Sequence, residues 1–363
     1  MNELAREIRE IIAQDGPISV ERYMNLALTH PSRGYYTTRD PFGVEGDFIT
    51  SPDISQMFGE LLGLWAAEVF GLIGSPQKLL LVELGPGRGA LMADALRAAK
   101  VAPTFFDSIE VHLVEASDKL AARQKQALED CGRPVFWHKS LEELPQGPAI
   151  FLANEFFDAL PVRHFVKTSR GWCERLVGLD EQGELTFGVG EAVEPYLTAP
   201  AEEGEVLEIG AVAQRLMTQI AARIVIQGGA GLFIDYGYDR TGFGETLQAV
   251  KAHAFADPLA EPGEADLTTH VDFSALGRAA RAANARTHGP VEQREFLAEL
   301  GIDHRAEALK KRATPEQAEN IDAALARLTE PGETGMGELF KVLAVTRRAL
   351  PSLPGFSASE NSA

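Results

Sequence analysis

The chain has 363 residues, 45% of them hydrophobic and 24% charged, which is ordinary for a soluble globular protein with an ample core. Its formal net charge of −19 argues against a general nucleic-acid binder and is compatible with a cationic partner or simply with an acidic surface. No apolar run reaches the roughly 20 residues that cross a bilayer, and the amphipathic start lacks the apolar core of a signal peptide. We therefore expect a cytoplasmic protein. Cys131 and Cys173 form no metal-ligand pattern, and we predict no metal site.

Helices dominate the expected structure of the first 75 residues. Gly16 and Pro17 separate an amphipathic helix from a second one, and a third is expected from about Gln56 to Gly71. Residues 31–55 are rich in breakers but too aromatic for disorder, which is typical of a functional lid. The predicted lid includes these residues: Tyr35, Tyr36, Asp47 and Phe48.

From residue 79 onward, predicted strands and helices alternate, which indicates an α/β fold with a doubly wound sheet. The expected strands lie at 79–82, 109–117, 134–140, 149–153 and 230–237, early in 287–301, and within 336–348. Turn signals between 162 and 190 predict an inserted antiparallel meander. The expected domains are a helical and lid region at 1–75, a sheet domain at 76–348 with an insertion at about 162–228, and a frayed tail at 349–363.

The segment "LLLVELGPGRGALMADAL" (79–96) runs from a buried strand through a glycine turn into a helix. Its spacing G-x-G-x-G is one residue tighter than the nicotinamide and flavin pattern, and a purely structural turn is the alternative. Glu83 precedes the glycines and would repel a pyrophosphate, but it suits a ligand with an ammonium group. S-adenosylmethionine has an α-ammonium, a sulfonium and a ribose diol, and it has no phosphate.

A second acid, Glu115, closes the next strand 30 residues after Gly85. In such sheets this position meets the ribose hydroxyls, although an exposed acid is the alternative. After the third strand, Ser140 and Leu141 are expected near the adenine. In the lid, Thr50 and Ser51 are expected to hydrogen-bond the cofactor's carboxylate. The full predicted cofactor set is Thr50, Ser51, Pro52, Glu83, Gly85, Pro86, Gly87, Gly89, Glu115, Ser140 and Leu141.

The segment "NEFFDALP" begins where the fourth strand ends, and it offers Asn154, Glu155 and Asp158 beside two aromatic rings. Carboxylates and aromatic faces orient a cationic nitrogen nucleophile, and an acid can accept the proton that the nitrogen loses on methylation. Helix capping is the alternative, and it does not exclude catalysis. Asp235 ends the fifth strand as a candidate second carboxylate, and His270 in "DLTTHVDF" is a candidate on the substrate side.

Residues 79–117 resemble the first two motifs of class I methyltransferases. The resemblance extends from about residue 3 to 347, because further segments look like signatures of the MidA family, formerly a domain of unknown function. These are "GPISVERYMNLALTHPSRGYY", "GDFITSPDISQMFGELLGLW", "ANEFFDALPV", "LFIDYGY" and "DLTTHVDF". The resemblance implies a Rossmann-like sheet of seven strands, S-adenosyl-L-methionine as cofactor, and methylation of arginine on a protein during assembly of respiratory complex I.

The leading hypothesis is thus an S-adenosylmethionine-dependent protein methyltransferase whose partner is a protein with a basic segment, a complex I subunit by the resemblance. Two alternatives stay open at this point. One is a methyltransferase for another nitrogen acceptor, such as glutamine, lysine or a small molecule. The other is a non-catalytic assembly protein that binds the cofactor. A nicotinamide oxidoreductase is disfavoured by the glycine spacing and by Glu83.

Overall fold

The computed structural model describes residues 2–38, 50–332, 335–350 and 352–357. The helices among them are α1 (Glu3–Asp15), α2 (Val20–Thr29), α3 (Tyr35–Thr38), α4 (Ser51–Ile54), α5 (Gln56–Leu72), α6 (Ala90–Ala99), α7 (Pro103–Ser108), α8 (Asp118–Ala127), α9 (Ala211–Gln227), α10 (Phe273–Ala282), α11 (Gln293–Glu299), α12 (Ile302–Lys310) and α13 (Pro315–Thr329).

The strands are β1 (Ile18–Ser19), β2 (Leu79–Leu84), β3 (Ile109–Val114), β4 (Val135–His138), β5 (Ala149–Asn154), β6 (Arg163–Thr168), β7 (Gly171–Leu179), β8 (Leu185–Val193), β9 (Val206–Ile209), β10 (Gly229–Tyr238), β11 (Gln248–Lys251), β12 (Ala254–Ala256), β13 (Asp266–Thr268), β14 (Val271–Asp272), β15 (Arg286–Glu292) and β16 (Phe340–Thr346).

The chain divides into two compact units. The larger unit comprises Ile49–Phe157, Leu216–Asp239 and Asp272–Ala363, and the smaller unit comprises Met1–Phe48, Asp158–Arg215 and Arg240–Val271. This division departs from the predicted domains, because α4 and α5 belong with the sheet and the smaller unit is assembled from three separate stretches of chain.

The larger unit contains the predicted doubly wound sheet, with strand order β15-β16-β10-β5-β2-β3-β4. The central strands are parallel, and β16 is antiparallel to both of its neighbours. All six residues of β2 and the first five of β5 are buried, as expected for strands covered on both faces. This arrangement brings the carboxyl ends of β2, β3, β4, β5 and β10 to one edge of the sheet.

Helices α5 and α6 pack closely because α5 carries glycine at the contact. A Cβ on Gly63 would lie 2.4 Å from the carbonyl oxygen of Ala95, so only glycine allows this approach. The same core also includes Leu353 and Phe356, both buried. The predicted frayed tail is therefore wrong for residues 352–357, whose apolar side chains are anchored in the core.

The smaller unit combines helices α1 to α3 with antiparallel strands. The predicted meander is present as β6, β7 and β8, and β1 and β9 complete its sheet. Tyr35 is fully buried in the apolar core of this unit, and the Tyr36 hydroxyl donates to both carboxylate oxygens of Asp266 at 2.9 Å. The assignment of these tyrosines to a lid is wrong, since both are fixed by packing. Asp47 and Phe48 lie outside the described residues.

None of the helices in the described ranges is long and apolar enough to cross a membrane. No group of three or more His, Cys, Asp or Glu side chains in the same ranges could hold a metal ion, and both cysteines are free thiols.

Candidate active site

The glycine turn connects β2 to α6 in a backbone conformation that favours glycine. Gly85, Gly87 and Gly89 have φ angles of 61°, 53° and 85°, in the left-handed region. A Cβ on Gly85 would lie 2.7 Å from the Phe156 ring, so this glycine also admits the segment that follows β5. The Gly89 N–H donates to the carbonyl of Pro86 at 2.8 Å, which closes the turn before the helix begins. The turn and the "NEFF" segment are thus in direct contact.

Glu83 is a buried acid near the end of β2, and no positive charge in the described ranges contributes to its pKa. Its side chain is only 3% exposed, and its Oε2 has no hydrogen-bond partner among the described residues. Burial and the nearby charge of Glu115 raise the pKa of Glu83 to about 8. A cationic group would relieve both effects. The α-ammonium of S-adenosylmethionine therefore fits this carboxylate.

Glu115 follows β3 and is held by hydrogen bonds on both carboxylate oxygens. Its Oε1 accepts from the Ser117 N–H at 2.7 Å, and its Oε2 accepts from Gln124 Nε2 at 3.0 Å. Burial raises the pKa of this carboxyl, while those hydrogen bonds and the Lys139 charge act in the opposite direction. Each oxygen still has a lone pair for a further donor, so the carboxylate can accept from the two hydroxyls of a ribose.

Ser140 and Leu141 follow β4 at the same edge of the sheet. The Glu115 N–H donates to the carbonyl of His138 at 2.9 Å, which places the end of β4 beside that acid. Ser140 precedes a single 3-10 turn, Leu141–Glu143, and both predicted residues are half-buried. Their contact with the adenine stays a prediction.

The end of β5 presents an amide and a carboxylate side by side. Glu155 has a φ of 48°, which is uncommon for a residue with a side chain and is typical of functional sites. Its Oε1 accepts from Asn154 Nδ2 and from the Ser51 N–H, each at 2.9 Å. The Asn154 Oδ1 is buried without a hydrogen bond in the described part of the chain. This pair of acceptors can bind the N–H groups of an incoming nitrogen compound.

Asp235 accepts hydrogen bonds from backbone groups, and its catalytic role stays a prediction. It is 1% exposed on β10, and its Oδ2 accepts from the backbone N–H groups of Phe156 and Phe157 at 3.1 and 2.9 Å. The sequence predicts a second carboxylate for the substrate, and the contacts show that this acid also restrains the turn after β5. Its oxygens face backbone donors because β10 is the parallel neighbour of β5.

The three lid residues of the predicted cofactor set surround the start of α4. The Thr50 hydroxyl donates to Asp53 at 2.9 Å, and Pro52 occupies the first turn of the helix. Ser51 is fully buried, and its hydroxyl lies 3.8 Å from the sulfur of Met336. Ser51 thus supports Glu155 through its N–H, and a cofactor contact from these residues stays a prediction.

Asp158 and His270, both predicted as catalytic, belong to the smaller unit. Asp158 is buried, and its carbonyl accepts from the Thr269 N–H at 3.0 Å. The His270 N–H donates to the Thr246 hydroxyl at 2.9 Å, and burial lowers the pKa of the imidazole, although the charge of Glu208 opposes this shift. The structure brings these two segments together within that unit, and their catalytic roles stay predictions.

Sequence reasoning missed Gln124, the residue that bonds Glu115. A signal was available, since Leu120, Gln124 and Leu128 recur four residues apart and all lie on the buried face of α8 and its end. A polar side chain in such an apolar stripe requires buried hydrogen-bond partners. The sequence alone does not show where those partners lie.

Comparisons with known proteins show the family and the fold. Residues 61–291 match the family described as S-adenosyl-L-methionine-dependent methyltransferase. A Danio rerio relative, named protein arginine methyltransferase NDUFAF7, mitochondrial, is 38% identical over 372 residues, covering 95% of this chain and 87% of its own. The Homo sapiens protein of the same name is 37% identical over 369 residues, covering 94% and 83%. The names contradict the predicted cytoplasmic location, which is therefore wrong.

A solved structure extends the similarity to the whole fold. It is a methyl transferase from Burkholderia thailandensis bound to S-adenosyl-homocysteine, with a TM-score of 0.85 and 31% sequence identity, covering 98% of this chain and 95% of that one. The predictions of the Rossmann-like fold and of S-adenosyl-L-methionine as cofactor are confirmed. These matches show that the chain belongs to the family of S-adenosyl-L-methionine-dependent methyltransferases.

Proposed function

We propose that the protein methylates arginine nitrogen on a subunit of respiratory complex I (NADH dehydrogenase) during assembly of that complex. Its similarity to proteins named arginine methyltransferases over 94–95% of the chain supports this proposal. The observation that carries it is the pair of acceptors at the end of β5. Asn154 and Glu155 together offer amide and carboxylate oxygens, and Phe156 beside them contacts the glycine turn. This set matches the planar array of donors on a guanidinium.

The negative charge of the chain also favours a basic protein segment as the substrate. Residues 176–214 contain nine acidic residues and neither Lys nor Arg. The smaller unit, which includes this stretch, has 24 acidic and 12 basic residues in its sequence. Such a surplus of negative charge attracts cationic partners and accelerates their encounter at low ionic strength.

The roles of the side chains follow from what the reaction requires. When bound, S-adenosyl-L-methionine supplies an activated methyl group, and methylation of a guanidinium nitrogen releases one proton from that nitrogen. Glu83 neutralises the ammonium of the cofactor, and Glu115 accepts the ribose hydroxyls. Asn154 and Glu155 orient the guanidinium through its N–H groups, and the Glu155 carboxylate accepts the released proton. Asp235 keeps the backbone of this turn in place.

The test uses complex I subunits from cells that lack this protein. They are incubated with the purified full chain and tritiated S-adenosylmethionine, and the labelled residue is identified by mass spectrometry. We expect methylarginine, and we expect Glu155→Gln to lower the rate at least tenfold while Glu129→Gln, the same change at an exposed site, leaves it unchanged. A labelled methyl group on lysine or glutamine would instead support a methyltransferase for another nitrogen acceptor. Cofactor binding without transfer to any subunit would support the non-catalytic assembly protein.

A further inference from the structure

Both polar atoms of the Gln124 side chain form hydrogen bonds, and one of their partners is Glu115. Gln124 is fully buried on α8. Its Nε2 donates to the carbonyl of Gly87 at 2.8 Å and to Glu115 Oε2 at 3.0 Å, and its Oε1 accepts from Trp137 Nε1 at 3.0 Å. One amide thus connects the glycine turn after β2, the acid after β3 and strand β4.

The chemistry of these partners determines both the side chain and the direction that its amide faces. An indole N–H only donates, whereas carbonyl and carboxylate oxygens only accept. The amide oxygen of Gln124 must therefore face Trp137, and its nitrogen must face Gly87 and Glu115. A glutamate here would place a carboxylate against a carboxylate and a carbonyl. A methionine of similar length would leave all three partners without this bond.

We propose that Gln124 is a positioning residue for the cofactor: it holds the Glu115 carboxylate and the Gly87 carbonyl in the arrangement that S-adenosylmethionine requires. Without it, Glu115 would adopt several rotamers, and binding would have to order them again. The glycine turn would also lose the hydrogen bond at the Gly87 carbonyl that restrains its backbone. This inference rests on the proposed assignment of Glu115 as the acid that accepts the ribose hydroxyls.

The first experiment is calorimetric titration of the full chain with S-adenosylhomocysteine. We expect Gln124→Met to raise the Kd about 10-fold and Gln124→Glu to raise it about 100-fold, the range for losing a hydrogen bond to a charged group. Gln126→Glu, the same chemical change at an exposed position of α8, should stay within about twofold of the unsubstituted protein. A Gln124→Met variant that binds with unchanged Kd would overturn the inference.

A double-mutant cycle separates positioning of Glu115 from a general effect on the fold. If Gln124 acts through Glu115, the loss caused by Gln124→Met must shrink in a Glu115→Gln background and with the 2′,3′-dideoxy analogue of S-adenosylhomocysteine. An equal loss in both backgrounds would contradict the inference. If Glu115→Gln alone leaves the Kd unchanged, the assignment of the ribose acid fails, and the inference fails with it.

A more conservative substitution tests the inference if the Gln124 variants misfold. Trp137→Phe removes only the donor to the Gln124 oxygen and leaves the other two hydrogen bonds possible. We expect it to raise the Kd about threefold, because the amide is then less restrained, with far-ultraviolet circular dichroism unchanged. If the Gln124 variants unfold, an unchanged Kd for Trp137→Phe overturns the proposal.

Discussion

The ionisation of Glu83 is expected to control cofactor affinity between pH 6 and pH 8. Burial and the charge of Glu115 raise the pKa of this carboxyl to about 8 in the ligand-free protein. The α-ammonium of the ligand favours the ionised form, so a proton must leave Glu83 when the ligand binds below that pH. Affinity should therefore increase with pH up to the pKa and become constant above it.

The size of the effect follows from that pKa. A carboxyl with a pKa of about 8 is ionised to about 1% at pH 6 and to about half at pH 8. The Kd for S-adenosylhomocysteine should thus fall about 50-fold over this interval, which corresponds to about 2.3 kcal/mol. Glu83→Gln should bind more weakly at pH 8 and should lose the pH dependence.

Calorimetric titrations at four pH values between 6 and 9 provide the measurement, with adenosine as a ligand that lacks the ammonium. Adenosine should show no such slope. The reasoning is refuted if the unsubstituted protein has the same Kd at pH 6 and pH 8, or if Glu83→Gln retains the slope.

The same pKa predicts the opposite trend for the stability of the ligand-free protein. The ordinary value is 4.5 and the folded value is about 8, so between these pH values the folded state binds more protons than the unfolded state. The free energy of unfolding should therefore decrease as the pH rises from 5 to 8, by at most about 1.4 kcal/mol per unit from this group. Glu83→Gln should reduce this decrease in urea titrations.

Three other substitutions test separate parts of the site and fold. Gly85→Ala should abolish detectable binding of S-adenosylhomocysteine in calorimetry, because its Cβ would strike Phe156 and its φ of 61° disfavours alanine. Asp235→Asn should lower kcat at least tenfold but change the cofactor Kd less than threefold, since it weakens the turn after β5. Glu60→Gln should reduce the free energy of unfolding by about 2 kcal/mol in urea titrations, because two half-exposed arginines lose a buried carboxylate.

The sheet and the cofactor edge could be predicted because their signals are local. Central parallel strands are unbroken apolar runs, so β2, β3, β5 and β10 can each be recognised in the sequence. A helical pattern follows β2 and β3 and precedes β10, which supports the α/β assignment. Parallel strands then carry the residues after them to one edge without any further information. The sequence alone therefore predicts that Glu83, Glu115 and Asn154 lie at that edge.

The smaller unit could not be predicted in the same way because its contacts are distant in sequence. It joins three stretches of chain, and the Tyr36 hydroxyl bonds Asp266, 230 residues away. Aromatic residues among breakers fit both an exposed lid and a buried core, and the sequence contains no local sign of which one applies. The tyrosines were therefore assigned to the wrong environment.

The four acids at the sheet edge show why position alone does not define a role. Each follows or ends a parallel strand, yet their partners differ. Asp235 accepts from the backbone N–H groups of Phe156, Phe157 and Tyr236, and we propose that it supports the turn after β5. Glu115 and Glu155 each accept from backbone and side-chain donors that fix their orientation. Glu83 has an oxygen that no described donor reaches, and burial together with the charge of Glu115 raises the pKa of this carboxyl. A buried acid in that condition is stabilised by a proton, a hydrogen-bond donor or a cation, and we propose that the ligand's ammonium has this role.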